Sequence, residues 1–470
     1  MYVNSVHIEN LRCFAEADLK LRHPDLKDRA QPTLDLPNIN LLLGNNGSGK
    51  TTVLRAVALA ALAPVMARSS GYKPYRMVRR LNIADREERI ANAQVSVLLH
   101  KQDLDMPQPS EDRTAKLSIK IISLGDEEWL ESTKEIAQPR WEQMFNNTSP
   151  AFLVLGYGTT RRIADAPNFD PEKELKRLSL RYLRVAGLFE NNVPLIPLHS
   201  WLPQMQSINP GRHTQVVHLL DRLLPAEASF AGDFDGSEYC FDMRGVKIPF
   251  GALSDGYRGY VGWIADMLYH ICKGAPKGAK LVENRGVVLV DEIDLLLHPE
   301  WQRTVLQTIS ETLPNMQFIF STHSPIIPGS VHKENIFVMD IDSSGAATVE
   351  QYNEHIYGLN AEQILTSSYF GLRTTRAASF VEQELRPLTQ KAIRGDHKAA
   401  VNFIQKLAGE RKPENTAGAA SAVSLPRIDD KQFQAMLEVY QKDASPKAAK
   451  RKATKKSAKR KSEPKAQVKK

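Results

Sequence analysis

Eight consecutive residues, Gly44-Asn45-Asn46-Gly47-Ser48-Gly49-Lys50-Thr51, meet the spacing G-x-x-x-x-G-K-[ST] in full. Glycines at that spacing leave backbone N–H groups free to face inward around an anion. A helix opening at the last residues adds partial positive charge at the same point. In such a loop Lys50 reaches the β- and γ-phosphates, the Thr51 hydroxyl ligates Mg2+, and Thr52 continues the cradle into the helix. The flanks agree. Ile39 to Leu43 is an apolar run that reads as a buried strand, and Thr51 onward (Val53, Leu54, Ala56, Val57, Leu59, Ala60) reads as a helix ending before Pro64. A Gly/Ser turn with a surface lysine would need neither flank, so the stretch predicts a nucleoside triphosphate site, with ATP and Mg2+ as the expected ligands.

Three further segments supply chemistry that the loop lacks. The apolar run Val287-Val288-Leu289-Val290 leads into Asp291-Glu292, a Walker B pattern. Asp291 is expected to hold the metal together with Thr51, and Glu292 to polarise the attacking water. Leu253-Ser254-Asp255-Gly256-Tyr257-Arg258 precedes a helical apolar periodicity and resembles the signature motif of ABC-type ATPases. The Ser254 hydroxyl, the Gly256 N–H and the following helix start make a second anion site. Such a site is useless beside its own loop and makes sense when offered to the nucleotide of another copy; the ordinary alternative is a helix-capping turn. Ser321-Thr322-His323-Ser324-Pro325 follows the apolar run Phe318–Phe320, where His323 is similar to the switch histidine that contacts a γ-phosphate.

The elements needed to position these groups can be traced along the chain. Tyr2–Ile8 and Glu16–Leu21 alternate as paired strands joined through Glu9-Asn10-Leu11-Arg12. Gln94–His100 and Lys116–Ile122 alternate as edge-type strands, Phe152–Leu155 is a short apolar strand, and Leu175–Leu188 and Thr214–Leu224 have helical periodicity. Tyr260, Val261, Ile264, Met267, Leu268 and Ile271 place a buried helix just after Gly256, Gly286–Val290 is a strand, and Pro299 opens a helix. Lys412–Ser424 reads as a linker and Asp430–Tyr440 as a last short helix. The expected organisation is an N-terminal half-core over 1–64, an insertion over 65–250, a second half-core over 251–370, a helical region over 371–442 and a Lys-rich tail over 443–470.

Composition bounds the rest. The 470 residues are 42% hydrophobic and 25% charged, ordinary for a globular chain. Three dispersed cysteines suggest neither a disulfide framework nor a metal-spaced pair, and no signal pattern or long apolar run is present, so a cytoplasmic, membrane-free protein is expected. Residues 447–470 hold twelve Lys or Arg against one acid, Glu463; this tail carries +11 of a chain total of +8 and leaves the remainder at −3. A solvated tail and a salt-sensitive DNA contact are the two readings of that charge.

With these motifs collinear, the chain resembles the ABC/SMC-related AAA-family ATPases that include RecF-like and OLD-type proteins. Ile8-Glu9-Asn10-Leu11-Arg12-Cys13-Phe14 is similar to that group's first β-turn, which implies a phosphate contact for Arg12. Leu289 to Trp301, with Asp294 and His298-Pro299-Glu300, resembles its Walker B and D-loop. Leu155 to Arg162, Leu253 to Gly259 and Tyr357 to Leu365 are similar to PtuA-like ATPases of Septu-type anti-phage defence systems. The resemblance implies an α/β P-loop NTPase of ABC-ATPase type: a mixed β-sheet with a helical lobe and an antiparallel β-subdomain insertion. It also implies a homodimer or higher homo-oligomer, ATP hydrolysis by Glu292, Lys50 and His323, and an effector nuclease encoded nearby. The alternative is a RecF-like maintenance ATPase acting directly on DNA.

Three departures stand out. Gly156-Tyr157-Gly158 occupies the place where the family often has a glutamine, leaving Arg161 or Arg162 to couple the lobes. Asp255 stands where the signature usually has glycine. The insertion is too short and too poor in heptads for a coiled-coil arm. Asp340 and Asp342 form a D-x-D that reads as a hairpin turn before Ala347–Gln351 rather than as nuclease ligands.

Overall fold

In the computed structural model the described residues are 1–26, 36–68, 70–80, 87–99, 114–132, 145, 153–164, 180–275, 278–372 and 374–408. The linker 412–424, the helix expected over 430–440 and the basic tail lie outside them. Residues Met1–Arg376 make one compact unit and Ala377 onward a second.

The first unit is built on a six-stranded sheet of β3 (Ile39–Gly44), β7 (Val154–Tyr157), β11 (Gly286–Val290), β12 (Met316–Thr322), β13 (Ile336–Ile341) and β14 (Ala347–Glu350), in the order β14-β13-β3-β12-β11-β7. Five strands are parallel, and β14 returns antiparallel to β13. Both faces are covered, which is why these strands read as unbroken apolar runs rather than as alternating ones. Leu41, Leu43, Val288, Val290, Phe318 and Phe320 pack into one core, and Leu42, Val287, Leu289 and Ile319 into the other. Against the first core lies the long helix Asp255–Gly274, with the helices Leu198–Ile208 and Pro210–Leu223; against the second lies the helix Lys50–Ala61.

A five-stranded antiparallel sheet closes over the loop helix. It comprises β1 (Tyr2–Leu11), β2 (Phe14–Lys20), β4 (Arg89–Leu98), β5 (Thr114–Leu124) and β6 (Glu127–Ser132), ordered β2-β1-β4-β5-β6. The inserted strands therefore extend the sheet begun by the N-terminal hairpin. The expectation of edge strands near 94–100 and 116–122 is corrected: β4 and β5 are interior. Their alternating pattern records one covered face and one half-exposed face, not a missing neighbour. The buried Gln317 side chain ties the two sheets, accepting from Val3 N (2.7 Å) and donating to the carbonyls of Val3 and Arg22 (2.8 and 2.7 Å). The small hairpin of β9 (Cys240–Met243) and β10 (Val246–Pro249), with β8 (Ala228–Ser229) beside β9, leads into the helix Asp255–Gly274.

The loop helix ends at Ala61, before Pro64 as expected, and the chain around it adds two details. The chain is helical again over Ala63–Arg68, because Pro64 falls in the first turn of a new helix, where a missing N–H costs nothing. The strand expected at 152–155 is found at Val154–Tyr157. As expected for the D-x-D, Asp342 sits in the β13–β14 turn, its Oδ1 accepting from Ser344 N, Ser344 Oγ and Ala346 N, while Asp340 is the next-to-last residue of β13. In the second unit the described residues include the helices Arg386–Ile393 and His397–Ala408.

Candidate functional site

The C-terminal ends of β3, β11 and β12 deliver the phosphate loop, the acid pair and the histidine to one edge of the parallel sheet, where open α/β sheets bind ligands. Arg12, Asn46, Gly47, Gly49, Lys50, Thr51, Thr52, Asp291, Glu292 and His323 line a single cleft there. Two glycines of the loop are required by geometry. A Cβ on Gly44 (φ +154°) would lie 2.3 Å from the Met339 carbonyl oxygen, and one on Gly49 (φ +104°) 2.5 Å from the Phe14 ring. Ser48 is buried within the loop.

Lys50 is folded back on its own loop, donating from Nζ to the carbonyls of Gly44 (2.7 Å) and Asn45 (2.9 Å). Burial pushes its pKa down to about 8 against the opposing pull of Asp291, Glu292 and Asp294. An arriving polyphosphate would supply the charge that the two carbonyls only partly replace. The Thr51 hydroxyl donates to Asp291 Oδ2 at 2.7 Å, so the two expected metal-holding groups touch each other. A hard cation with oxygen ligands fits between them, since both present oxygen and Asp291 is held only 4% exposed.

Asp291 and Glu292 are fixed from behind. Ser321 Oγ donates to Asp291 Oδ1 (2.5 Å) and accepts the Glu292 N–H (2.8 Å). Arg161 Nη2 donates to the carbonyls of Asp291 (3.1 Å) and Glu292 (2.5 Å). Glu292 has φ +48°, a conformation that costs a non-glycine residue on the order of 1–2 kcal/mol and is held here by those contacts. His323 Nε2 stands 3.8 Å from Glu292 Oε1, and both side chains are about a third exposed, at 30% and 33%. Burial and the neighbouring Lys50 lower the His323 pKa, against the opposing pull of the three acids.

Ser254 and Gly256 are not in this cleft. Ser254 is exposed and precedes the helix Asp255–Gly274 without capping it through its side chain. Gly256 rests on the D-loop: a Cβ there would meet the Leu296 carbonyl oxygen at 2.6 Å. Glu227 braces the arrangement, its Oε1 accepting from Trp301 Nε1 (2.6 Å) and Tyr257 Oη (2.9 Å). Ser254 and Asp255 are therefore the exposed residues of this segment, Gly256 is half-buried against Leu296, and none of them lines the phosphate-loop cleft. Sequence reasoning assigned no role to Ser321, which offers no pattern of its own, and named Arg161 only as one of two candidates. Arg162 makes no comparable contact with the acids; its carbonyl accepts from Leu195 N.

Two family models match. Residues 5–146 match a model described as "AAA domain", and 161–327 one described as "AAA domain, putative AbiEii toxin, Type IV TA system". The chain is 24% identical to "Septu protein PtuA" of Bacillus mycoides (strain KBAB4) over 335 residues, 71% of this chain and 41% of that protein. It is 31% identical to "Septu protein PtuA" of Bacillus thuringiensis over 143 residues, 29% of this chain and 35% of that one. A shorter stretch of 97 residues is 38% identical to "Retron Vc95 probable ATPase" of Vibrio cholerae serotype O1 biovar El Tor, covering 21% and 19% of the two chains. The chain thus spans less than half the length of these relatives. Among solved structures, an SMC head bound to the C-winged helix domain of ScpA is similar at a TM-score of 0.42 and 14% identity, over 75% of this chain and 98% of that one.

Proposed function

We propose that this chain, which matches AAA-domain models over residues 5–146 and 161–327 and is related in sequence to the Septu protein PtuA, binds Mg-ATP, closes as a dimer around it, and hydrolyses it to release that dimer. The observation that carries this reading is the convergence of Lys50, Thr51, Asp291, Glu292 and His323 on one cleft, with Ser254 exposed outside it. Lys50 and the loop amides bind the phosphates, Thr51 and Asp291 hold Mg2+, and Arg12 contacts the phosphates from the β1–β2 turn. Glu292 orients water, and His323 contacts the γ-phosphate. Ser254 and Gly256 of a second copy complete the site. Catalysis of this kind rests on placement and on fixed charge around the transferring phosphoryl group. Similarity to a Septu protein and to a probable retron ATPase supports a place in a defence system; the regulatory role and a nuclease on a separate chain belong to the proposal alone.

Glu292→Gln tests this reading. The variant should bind ATP with unchanged affinity, lose turnover by at least about a hundredfold, as expected when a water-positioning acid is removed, and accumulate as a dimer in light scattering with Mg-ATP. A variant that stays monomeric with ATP, beside a wild type that does too, would falsify the composite site.

A further inference from the structure

The helix Asp255–Gly274 starts beside the exposed Ser254 and, further along, carries a carboxylate into the interior. Asp266 is 4% exposed. Its two hydrogen-bond donors are neutral: Tyr157 Oη reaches Oδ2 (2.8 Å) and Ile196 N reaches Oδ1 (2.8 Å). His270 Nε2 stands 3.5 Å from the same Oδ2, on a ring whose pKa burial pulls well below the usual value. Burial raises the Asp266 pKa to about 6 against the pull of its two donors. A carboxylate kept inside by neutral donors costs stability that a well-packed apolar residue would not.

Tyr157 is the other half of this contact. It ends β7, pairs with Val290 of β11, and accepts the Asp291 N–H at its carbonyl (2.8 Å). One residue therefore holds the backbone of Asp291 with its main chain and the helix behind Ser254 with its side chain. Its ring also leans on Trp263 of that helix, with centroids 5.7 Å apart. The strand end has no slack: a Cβ on Gly156 would meet Leu188 Cδ1 at 2.5 Å, and one on Gly158 the Gly187 carbonyl oxygen at 2.1 Å.

Resting on the ATPase reading above, we propose that Tyr157 and Asp266 are positioning residues for hydrolysis. Their hydrogen bond ties the helix behind Ser254 to the backbone of Asp291, so that a partner's nucleotide seated on Ser254 is registered at the acid pair of the same chain. Arg161 holds that pair at its carbonyls and Tyr157 holds it at the Asp291 amide; of the two, Tyr157 continues into the helix. Neither Tyr157 nor Asp266 lines the nucleotide cleft, so they act on turnover through the acids and not on ATP itself.

The test compares the full-length wild type with Tyr157→Phe, Asp266→Ala, their double variant and Asp266→Asn. It reads ATP affinity by calorimetry, kcat and KM by phosphate release, and the ATP-driven dimer by light scattering. Tyr157→Phe keeps the ring on Trp263 and loses only the donor. Its kcat should fall at least about fivefold, as small displacements of catalytic groups do, while KM, ATP affinity and dimer formation stay within about twofold. Asp266→Ala should lose a similar factor, and the double variant no more than the worse single one, since both break the same contact. Asp266→Asn keeps an acceptor for Ile196 N and turns an amide to Tyr157 Oη, so its kcat should lie closer to wild type than that of Asp266→Ala. If Asp266→Ala does not fold, Tyr157→Phe decides alone. An unchanged kcat in Tyr157→Phe, a fall matched by an equal loss of affinity or dimer, or single losses that multiply in the double variant overturns the proposal. A wild type that binds ATP without turnover ends the ATPase reading and this inference with it; turnover in the wild type beside an unaffected Tyr157→Phe ends the inference alone.

Discussion

Thr51 and Asp291, 240 residues apart in sequence, meet through one hydrogen bond of 2.7 Å from the threonine hydroxyl to the carboxylate. The bond closes the gap between the phosphate loop on β3 and the acid pair on β11, across the intervening β12. It also engages the two oxygens proposed to hold Mg2+, which would supply charge to the phosphates there. Thr51→Val keeps the shape and removes the donor and ligand. It should reduce Mg2+-dependent ATP affinity by about tenfold or more, as loss of one of few protein ligands to a hard cation does, while metal-free nucleotide binding changes little. Titrations with and without Mg2+ measure the difference, and equal losses in both would remove Thr51 from the metal.

Ser321 predicts a separate effect. Its hydroxyl satisfies both Asp291 Oδ1 and the Glu292 amide. Ser321→Ala would leave both without that partner, at a cost of about 1–3 kcal/mol in stability. It would also free Glu292 to leave its strained φ. Turnover should fall more than ATP affinity does. Denaturant melts combined with kcat and KM check this; an unchanged kcat would mean that Arg161 alone holds the acids.

How much of this was readable from the sequence follows from what each residue depends on. Strands buried on both faces must be apolar throughout, so Ile39–Leu43 and Gly286–Val290 declared themselves, and the glycine spacing of the loop could serve little else. The helix Leu198–Ile208 did not, because Pro203 in its interior breaks the usual rule for a continuous helix. Nor could the grip of Arg161 on two carbonyls be read, since it is a contact to backbone, and backbone carries no sequence signal. The bracing of Tyr257 and Trp301 by Glu227 is likewise a tertiary matter.

Arg161 can be tested directly. Both carbonyls are met by one nitrogen, Nη2; lysine keeps the charge but on a shorter and more flexible stem, so Arg161→Lys should not place its donor where Nη2 now stands. With the acid pair less well placed, kcat should drop by about tenfold to a hundredfold, as small displacements of catalytic groups do, while KM moves little. A matched fall in affinity would instead place Arg161 in nucleotide binding.

The outward position of Ser254 gives a mixing experiment. Lys50→Ala should lose its own phosphate grip, and Ser254→Arg should lose the ability to complete a partner's site. Each alone should be inactive if two copies share each site. Mixed in equal amounts, heterodimers carry one site with both defects and one intact site, so activity should return to about a quarter of wild type, the value for statistical pairing with independent sites in a symmetric dimer. Mixing that restores nothing, with dimers present by light scattering, would place Ser254 outside the reaction.

The last prediction concerns pH. Burial lowers the Lys50 pKa to about 8 in the free protein, below the usual lysine value of 10.5. A bound polyphosphate raises it again, so binding above pH 8 must take up a proton. The sign follows: between pH 7 and 8 Lys50 is already charged and ATP affinity should be nearly flat. Above pH 8 affinity should fall, steepening toward about tenfold per pH unit until the pKa of the complex is reached. The same lowered pKa makes folding stability of the free protein rise with pH between 8 and 10.5, since there the unfolded chain binds the extra proton. Calorimetry at pH 8.5 to 9 in buffers of different ionisation enthalpy reads the proton uptake, which Lys50→Met should abolish. Affinity that stays level to pH 9.5 would mean that the loop carbonyls, and not burial, set the state of Lys50.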